Sequence, residues 1–166
     1  MHMRQAAALQ KIFCAFAMRT RAGIIGTGIA PVILRGATML DRFMQQLSKD
    51  LEIEENLTTE VPNTYSLPLD ENTRITISQT QQGISFICIL GKAKKQQEEA
   101  FYTRLLLGNL FCQGTRGSGL GLSEDGNQLT LTHTLDYNVD YKEFRDTIED
   151  FLNSVEYWRI EAESFK

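Results

Sequence analysis

The sequence predicts an α+β fold with the element order α-β-β-β-α-β-β-α, in which helices pack on an antiparallel twisted sheet. Three observations predict this class. Apolar residues recur at helical spacing after Met39, three strand-like segments follow one another, and a second helix precedes a glycine-rich hairpin and a third helix. The chain has 166 residues, of which 42% are hydrophobic and 23% are charged, so it fits one globular domain.

Residues 1–38 differ in composition from the rest of the chain. They contain five of the 17 basic side chains and none of the 21 acidic ones. Such a basic leader can be an organellar transit peptide, a secretory signal whose apolar run is broken early, or an over-called start upstream of Met39. We expect the last of these, with the leader outside the fold and residues 39–166 forming a single domain.

The domain after the leader is acidic. It carries a net charge of −9, although the whole chain carries −4. Binding of nucleic acid requires clustered Lys and Arg, and the one basic cluster, Lys92, Lys94 and Lys95, is too small. No segment reaches the roughly 18 consecutive apolar residues of a membrane helix. We therefore expect no nucleic-acid partner and no membrane insertion.

A helix and a three-strand meander are predicted for the first half of the domain. The first strand, "TYSLPL", contains Pro68, which confines it to a sheet edge or a strand end. "RITIS" and "ISFICIL" follow, and the latter is apolar on both faces, so we expect it at the centre of the sheet with cover on both sides. The apolar residues of the helix follow the i, i+3, i+4, i+7 pattern: Leu40, Phe43, Met44, Leu47 and Leu51.

The second predicted helix, "QQEEAFYTRLLLGNLFCQG", has more apolar surface than one sheet can cover. It begins with acidic residues and is expected to end at Gly114. A helix that is apolar most of the way around needs cover on more than one side. The second cover is either another helix of the chain or the same surface of a second copy. The residues beyond its main stripe are Leu106, Leu107, Leu110 and Phe111.

The third predicted helix has clear start signals. Asp140 is placed to cap it with Glu143 reaching back, and Val139 is placed to pack on Phe144. Its outer face is acidic, which is typical of a solvated helix face or of a surface that steers a basic partner. Its predicted buried face comprises Phe144, Ile148, Phe151, Val155 and Trp158.

The stretch from Phe111 to Leu135 contains five glycines and resembles a phosphate-binding loop only superficially. Such loops follow a strand and open a helix, so that the helix N-terminus faces the phosphate. Here the glycines follow a helix, and its carbonyl end disfavours anions. The alternating segments around Asp125 and Gly126 instead predict a β-hairpin.

No catalytic, cofactor or metal site is predicted. Cys88 and Cys112 lie among apolar neighbours and are expected to be buried small hydrophobes. His133 shares the apolar face of its strand with leucines, so we expect a core or interface residue, with a pH-sensitive contact as the alternative. The three cysteines lack metal-ligand spacing, and their number agrees with a reducing compartment. A protein without enzymatic activity is therefore the better hypothesis.

The element order and several segments together resemble a known family. The "LLLGNLF" helix, the "GSGLGLSEDGNQLTL" hairpin and the "LDYNVDYKEFRDTIEDFLNSVEYWR" ending are similar to those of the Tir chaperone family. Its members are the class I, SycE-like chaperones of bacterial type III secretion. The resemblance covers about residues 39–160, and the leader has no counterpart in it.

The resemblance implies a homodimer in the bacterial cytoplasm that has no cofactor. It would hold the N-terminal segment of secreted effector proteins in an extended, non-globular form, and it could also dock on a secretion ATPase or sorting platform. The implied dimer interface comprises Leu106, Leu107, Leu110, Phe111, Leu120 and Leu122. The implied effector-binding groove, whose residues also qualify as ordinary core, comprises Phe43, Met44, Leu47, Ile75, Ile77, Ile87 and Ile89.

Two other functions stay open at this point. One is a different protein- or ligand-binding adaptor that acts without catalysis. The other is an enzyme with a thiol nucleophile at Cys88 or Cys112, which would need a histidine nearby in space.

Overall fold

A computed structural model describes residues 38–53, 57–93 and 98–165 of the chain. The predicted order of helices and strands is confirmed, and every pair of neighbouring strands is antiparallel. Residues 1–37 of the predicted leader lie outside the described residues. The elements are α1 (Met39–Asp50), β1 (Thr64–Pro68), β2 (Arg74–Thr80), β3 (Gly83–Lys92), α2 (Glu98–Asn109), β4 (Gly119–Leu122), β5 (Gln128–Leu135) and α3 (Tyr141–Ser164).

Thr38, the first of the described residues, caps α1. The Thr38 hydroxyl accepts a hydrogen bond from the Asp41 backbone N–H, and the Thr38 N–H donates to Asp41 Oδ2 at 2.6 Å. This reciprocal capping box satisfies two of the free donors at the start of α1. The Tyr65 hydroxyl donates to the other Asp41 oxygen at 2.5 Å and so ties α1 to β1. These hydrogen bonds outweigh burial and lower the pKa of Asp41.

The sheet has the strand order β1-β2-β3-β5-β4, so β3 is central as predicted. Successive side chains of a strand point to opposite faces. On β3, Ile84, Phe86 and Cys88 are buried under the helices, whereas Ile87 and Ile89 point to the other face and are exposed. Among residues 38–53, 57–93 and 98–165, the expected cover on both faces is not found, because the three helices lie on one side of the sheet.

The core fills the space between the sheet and the helices. Phe86 of β3 packs against Phe144 and Phe151 of α3, with ring centroids 5.9 and 5.8 Å apart. The predicted cap of α3 is confirmed, because Asp140 Oδ1 accepts from the Glu143 backbone N–H at 2.8 Å. All five residues predicted for the buried face of α3 are at most 1% exposed.

The α2–β4 connection differs in detail from the prediction. The α-helix ends at Asn109 rather than near Gly114, and a short 3₁₀ turn continues it from Leu110 to Cys112. The hairpin around Gly126 is confirmed, and this glycine has the positive φ of 68° that such a turn favours. Within the described ranges, no helix is both long and apolar enough to cross a bilayer.

Candidate protein-interaction surfaces

The predicted groove residues do not form one surface. Met44 and Leu47 of α1 are buried against Ile75 and Ile77 of β2 within a single core, each at most 2% exposed. Phe43 is half-buried and packs on Phe144, with ring centroids 5.1 Å apart. In the single chain, the first four of these side chains belong to the core between α1 and the sheet, and Phe43 packs on α3 with part of its ring exposed.

The remaining two groove residues, Ile87 and Ile89, lie on the uncovered face of the sheet. They are 40% and 50% exposed. The strand register places Ile87 between Thr76 and Thr132, and Ile89 beside Thr130. We call these five residues the isoleucine face. It combines an apolar centre with flanking hydroxyl groups on a rigid sheet.

A second exposed apolar surface lies on α2 and the turn that follows it. It consists of the four apolar side chains that we expected one sheet could not cover. They are between 54% and 83% exposed, and Phe111 is the most exposed of them. A contiguous apolar patch on a monomer usually marks an interaction site. We call these four residues the α2 patch: Leu106, Leu107, Leu110 and Phe111.

The two residues of β4 in the predicted interface differ in burial. Leu120 is buried beneath α2, close to Gly108, and so belongs to the core. Leu122 is exposed near the end of β4. The predicted interface set is thus exposed in the structure except at Leu120.

Trp158 of α3 positions the α2 patch. Its ring lies against Gly108, where an added Cβ would be 2.3 Å from two ring carbons. Its indole N–H donates to the Gly114 carbonyl at 3.1 Å, and the Arg104 guanidinium lies 5.5 Å from the ring centroid. Arg104 is held in turn by Glu161 at 2.5 Å. A glycine at this contact lets α2 approach α3 closely, with the patch pointing away.

The backbone after α2 directs Phe111 outward. Phe111 and Cys112 have φ values of 55° and 53°, a left-handed conformation that costs a non-glycine residue roughly 1 kcal/mol or more. The most exposed aromatic ring of the patch is therefore held in a strained turn. Cys112 is exposed, so the expectation that it is buried is wrong.

A side chain that sequence reasoning missed covers part of the outer edge of β4. The Asn109 amide donates to the Leu120 carbonyl at 2.8 Å and accepts from the Leu120 N–H at 2.7 Å. It thus satisfies the N–H and the carbonyl of Leu120, as a neighbouring strand would. The two residues are 11 apart in sequence, and no local pattern indicates the contact.

The titratable groups of the interior do not form a reactive site. Burial raises the pKa of the Cys88 thiol to about 12, so this cysteine stays protonated and is a poor nucleophile. The His133 ring packs on Phe86 with centroids 6.2 Å apart, and its Nδ1 lies 3.4 Å from Ser118 Oγ. Burial chiefly lowers the pKa of His133. No group of metal-ligating side chains occurs among residues 38–53, 57–93 and 98–165.

Comparison with known proteins identifies the family. The sequence model of the Tir chaperone protein (CesT) family matches residues 42–159. The chain belongs to this family. The resemblance that the sequence predicted is therefore confirmed. The Tir chaperone match runs from within α1 to within α3 and includes every strand between them.

Individual relatives are similar to this chain over most of its length. Protein CPj0713/CpB0740 of Chlamydia pneumoniae is 27% identical over 122 residues, which cover 72% of this chain and 93% of that protein. A chain in the structure of the HopA1–SchA chaperone–effector complex is 21% identical with a TM-score of 0.55, covering 74% of this chain and 97% of that one.

Two further solved structures share the fold. A chain of the ExoU–SpcU complex from the type III secretion system of Pseudomonas aeruginosa is 17% identical, with a TM-score of 0.55 and coverage of 75% and 94%. YbjN of E. coli, a putative transcription regulator, is 16% identical, with a TM-score of 0.56 and coverage of 77% and 93%. Because proteins of different description share this fold, function must be argued from the surfaces.

Proposed function

We propose that this Tir chaperone family protein is a type III secretion chaperone. It binds the N-terminal segment of one or more secreted effectors, keeps that segment non-globular and assists its delivery to the secretion apparatus. The observation that carries the proposal is the pair of uncovered apolar surfaces, the α2 patch and the isoleucine face, on a domain whose core is otherwise closed. A protein that binds extended polypeptide requires such surfaces.

The α2 patch is the proposed contact with a second copy of the chain. A two-fold axis brings the same surface of both subunits together, so a self-complementary apolar patch suits it. The exposed members of the predicted interface, the α2 patch and Leu122, would be covered there, while Leu120 supports them from the core.

The isoleucine face is the proposed effector contact. Of the seven predicted groove residues, Ile87 and Ile89 are the two that combine high exposure with a fixed position on a strand. The five others act indirectly, because they hold α1 and β2 in place. A client side chain that covers both isoleucines removes apolar surface from water at roughly 25 cal/mol per Å².

Cellular features follow from the same proposal. The protein would act in the bacterial cytoplasm without catalysis and without a cofactor. The raised pKa of the Cys88 thiol argues against a thiol nucleophile at that residue. The loaded dimer would dock on a secretion ATPase or sorting platform. The acidic outer face of α3, which includes Glu149 and Asp150, would favour a basic partner surface.

The dimer is tested by light scattering coupled to size-exclusion chromatography on the wild type and on Phe111→Asp. A charge in the centre of an apolar interface is expected to give a monomer. The monomer should keep the far-UV circular dichroism spectrum of the wild type, and its unfolding temperature should no longer depend on protein concentration. Ile160→Asp on α3 is the matched control, because Ile160 is also exposed but lies outside the α2 patch, and it should remain dimeric. A monomeric wild type would contradict the proposed dimer.

Effector binding is tested with the double variant Ile87→Thr/Ile89→Thr, which keeps β-branched side chains on the strand. We expect it to remain a dimer while its affinity for a co-purifying exported protein falls about tenfold or more, because about 2 kcal/mol of apolar contact is lost. The proposal fails if no exported protein co-purifies with the wild type from its host.

A further inference from the structure

The five strands differ in charge from the rest of the chain. None of the 21 acidic residues lies in a strand, and the strands contain one arginine and one lysine, Arg74 of β2 and Lys92 of β3. Both side chains are exposed. In the part of the chain that the structure describes, neither forms an ion pair. We call Arg74 and Lys92 the basic end, because both lie at one end of the outer face of the sheet.

The strand register places Arg74 next to the isoleucine face. Thr76 of β2 pairs with Ile87 of β3, and the two strands are antiparallel. Arg74, two residues before Thr76, therefore lies on the same face and beside Ile89. Neighbouring strands are about 4.8 Å apart, so the long Arg74 side chain can reach a group that lies on Ile89.

Lys92 lies on the same face, beyond Ile89. It pairs with Gln128 of β5, two residues before Thr130, which is the partner of Ile89. Side chains two residues apart on a strand share a face, so Lys92, Gln128 and Thr130 all point outward. The β-bulge between Ile89 and Gly91 inserts one residue and so brings Lys92 back to this face.

The charge of the basic end is opposite to that of the domain. Residues 39–166 carry a net charge of −9, which disfavours the approach of an acidic peptide in general. On the outer face of the sheet, two cations flank the exposed Ile89, and no strand contributes a carboxylate to neutralise them. An apolar surface with cations at one end is complementary to an apolar segment with a carboxylate at one end.

We propose that the isoleucine face selects client segments by a carboxylate as well as by apolar side chains. The segment lies extended along β3, with two apolar side chains on Ile87 and Ile89. Its next side chain on the same face is an aspartate or glutamate that contacts Arg74 and Lys92. The client class is thus a segment with apolar, apolar and acidic residues at alternate positions. This inference rests on the proposed function, because it takes the isoleucine face as the effector contact.

The test uses two peptides of defined sequence. Glu-Ser-Val-Ser-Val-Ser-Glu and Gln-Ser-Val-Ser-Val-Ser-Gln, both with blocked ends, are titrated into the nitrogen-15-labelled full chain and followed by NMR. Acidic residues at both ends make the test independent of the direction of the bound segment. At low salt the glutamate peptide should bind about threefold more tightly or better, since an exposed ion pair contributes up to about 1 kcal/mol, and should shift the amide signals of β3. At about 0.5 M salt, screening should remove the difference.

Charge variants identify the cations. Arg74→Gln/Lys92→Gln should abolish the preference for the glutamate peptide, and Arg74→Glu/Lys92→Glu should prefer a third peptide with lysine at both ends. The matched control is Arg42→Glu/Lys49→Glu, which changes the net charge equally at two exposed residues of α1 and should keep the wild-type preference. Far-UV circular dichroism checks that each variant is folded.

Several results would overturn the inference. It is wrong if the wild type binds the two peptides alike at low salt, if it prefers the lysine peptide, or if the α1 control loses the preference. It is also wrong if no peptide shifts the β3 signals, and a lower oligomeric state of Ile87→Thr/Ile89→Thr would then identify the face as a contact between copies.

The outcomes also separate this inference from the proposed function. If an exported protein co-purifies equally with the wild type and with Arg74→Gln/Lys92→Gln, the chaperone function stands and only the role of the basic end is wrong. If the peptide results hold and no exported protein co-purifies, the peptide site stands and the secretion role is wrong.

Discussion

Gly108→Ala tests how α2 is held on α3. The added Cβ would be 2.3 Å from the Cη2 and Cζ2 atoms of Trp158, more than 1 Å inside an ordinary carbon–carbon contact of about 3.5 Å. Trp158 is 1% exposed and is fixed by its bond to the Gly114 carbonyl, so the ring cannot turn away without losing that bond. The helix must therefore shift.

The magnitude follows from two opposing effects. Overpacking of a core by one methyl group costs about 1–3 kcal/mol, and alanine gains back up to about 1 kcal/mol over glycine in a helix. We expect a net loss of about 1–2 kcal/mol in the free energy of unfolding, or about 4–8 °C in midpoint temperature. Because the shifted helix carries the α2 patch, the dissociation constant of the proposed dimer should also rise.

Circular dichroism during urea and thermal unfolding measures the stability, and sedimentation equilibrium measures self-association. Gly121→Ala is the control, because its added Cβ would meet its nearest atom, Thr130 Oγ1, at 3.5 Å. In a double-mutant cycle, Trp158→Phe should relieve part of the clash and give a coupling of about 1 kcal/mol or more. If Gly108→Ala is as stable as the wild type, the contact with Trp158 does not hold α2. The same conclusion follows if the effects of Gly108→Ala and Trp158→Phe on the free energy of unfolding are additive.

Two further predictions concern the cap of α1 and the dependence of the free energy of unfolding on pH. Thr38→Ala should cost about 1 kcal/mol by urea unfolding because it removes the cap of α1, whereas Thr38→Ser should cost little; equal losses would contradict the capping role. The pKa of His133 is lower in the folded chain than its value of about 6.5 in the unfolded chain. The folded chain is therefore most stable, as far as His133 is concerned, above pH 6.5, and it loses stability as the pH falls below that value. Urea midpoints between pH 5 and 8 should show this decrease in the wild type and a smaller one in His133→Gln, and parallel curves would refute the assignment.

The element order could be predicted because its signals are local. Apolar spacing identified α1 and the buried face of α3, and the Asp140 cap marked the start of α3. Apolar residues on both faces also placed β3 at the centre of the sheet. Each of these properties depends on residues close together in the chain.

The division between core and surface could not be predicted because it depends on tertiary contacts. Met44 and Ile87 both belong to apolar patterns in the sequence. Met44 is buried because α1 packs on one face of the sheet, whereas Ile87 is exposed because it points to the opposite face. No local sequence pattern indicates the left-handed conformation of Phe111 or the exposure of Cys112 either. Periodicity alone contains no information on these choices.

The contact between Asn109 and Leu120 makes protection of the sheet edge dependent on the order of folding. Until α2 has formed and its last residue has reached β4, the Leu120 N–H and carbonyl are open to pairing with another chain. A nascent or partly unfolded molecule therefore has more unpaired backbone at this edge, and is more prone to aggregate, than the folded molecule. Any condition that delays helix formation, such as a high rate of synthesis at elevated temperature, would lower the yield of folded protein even when the native state is stable.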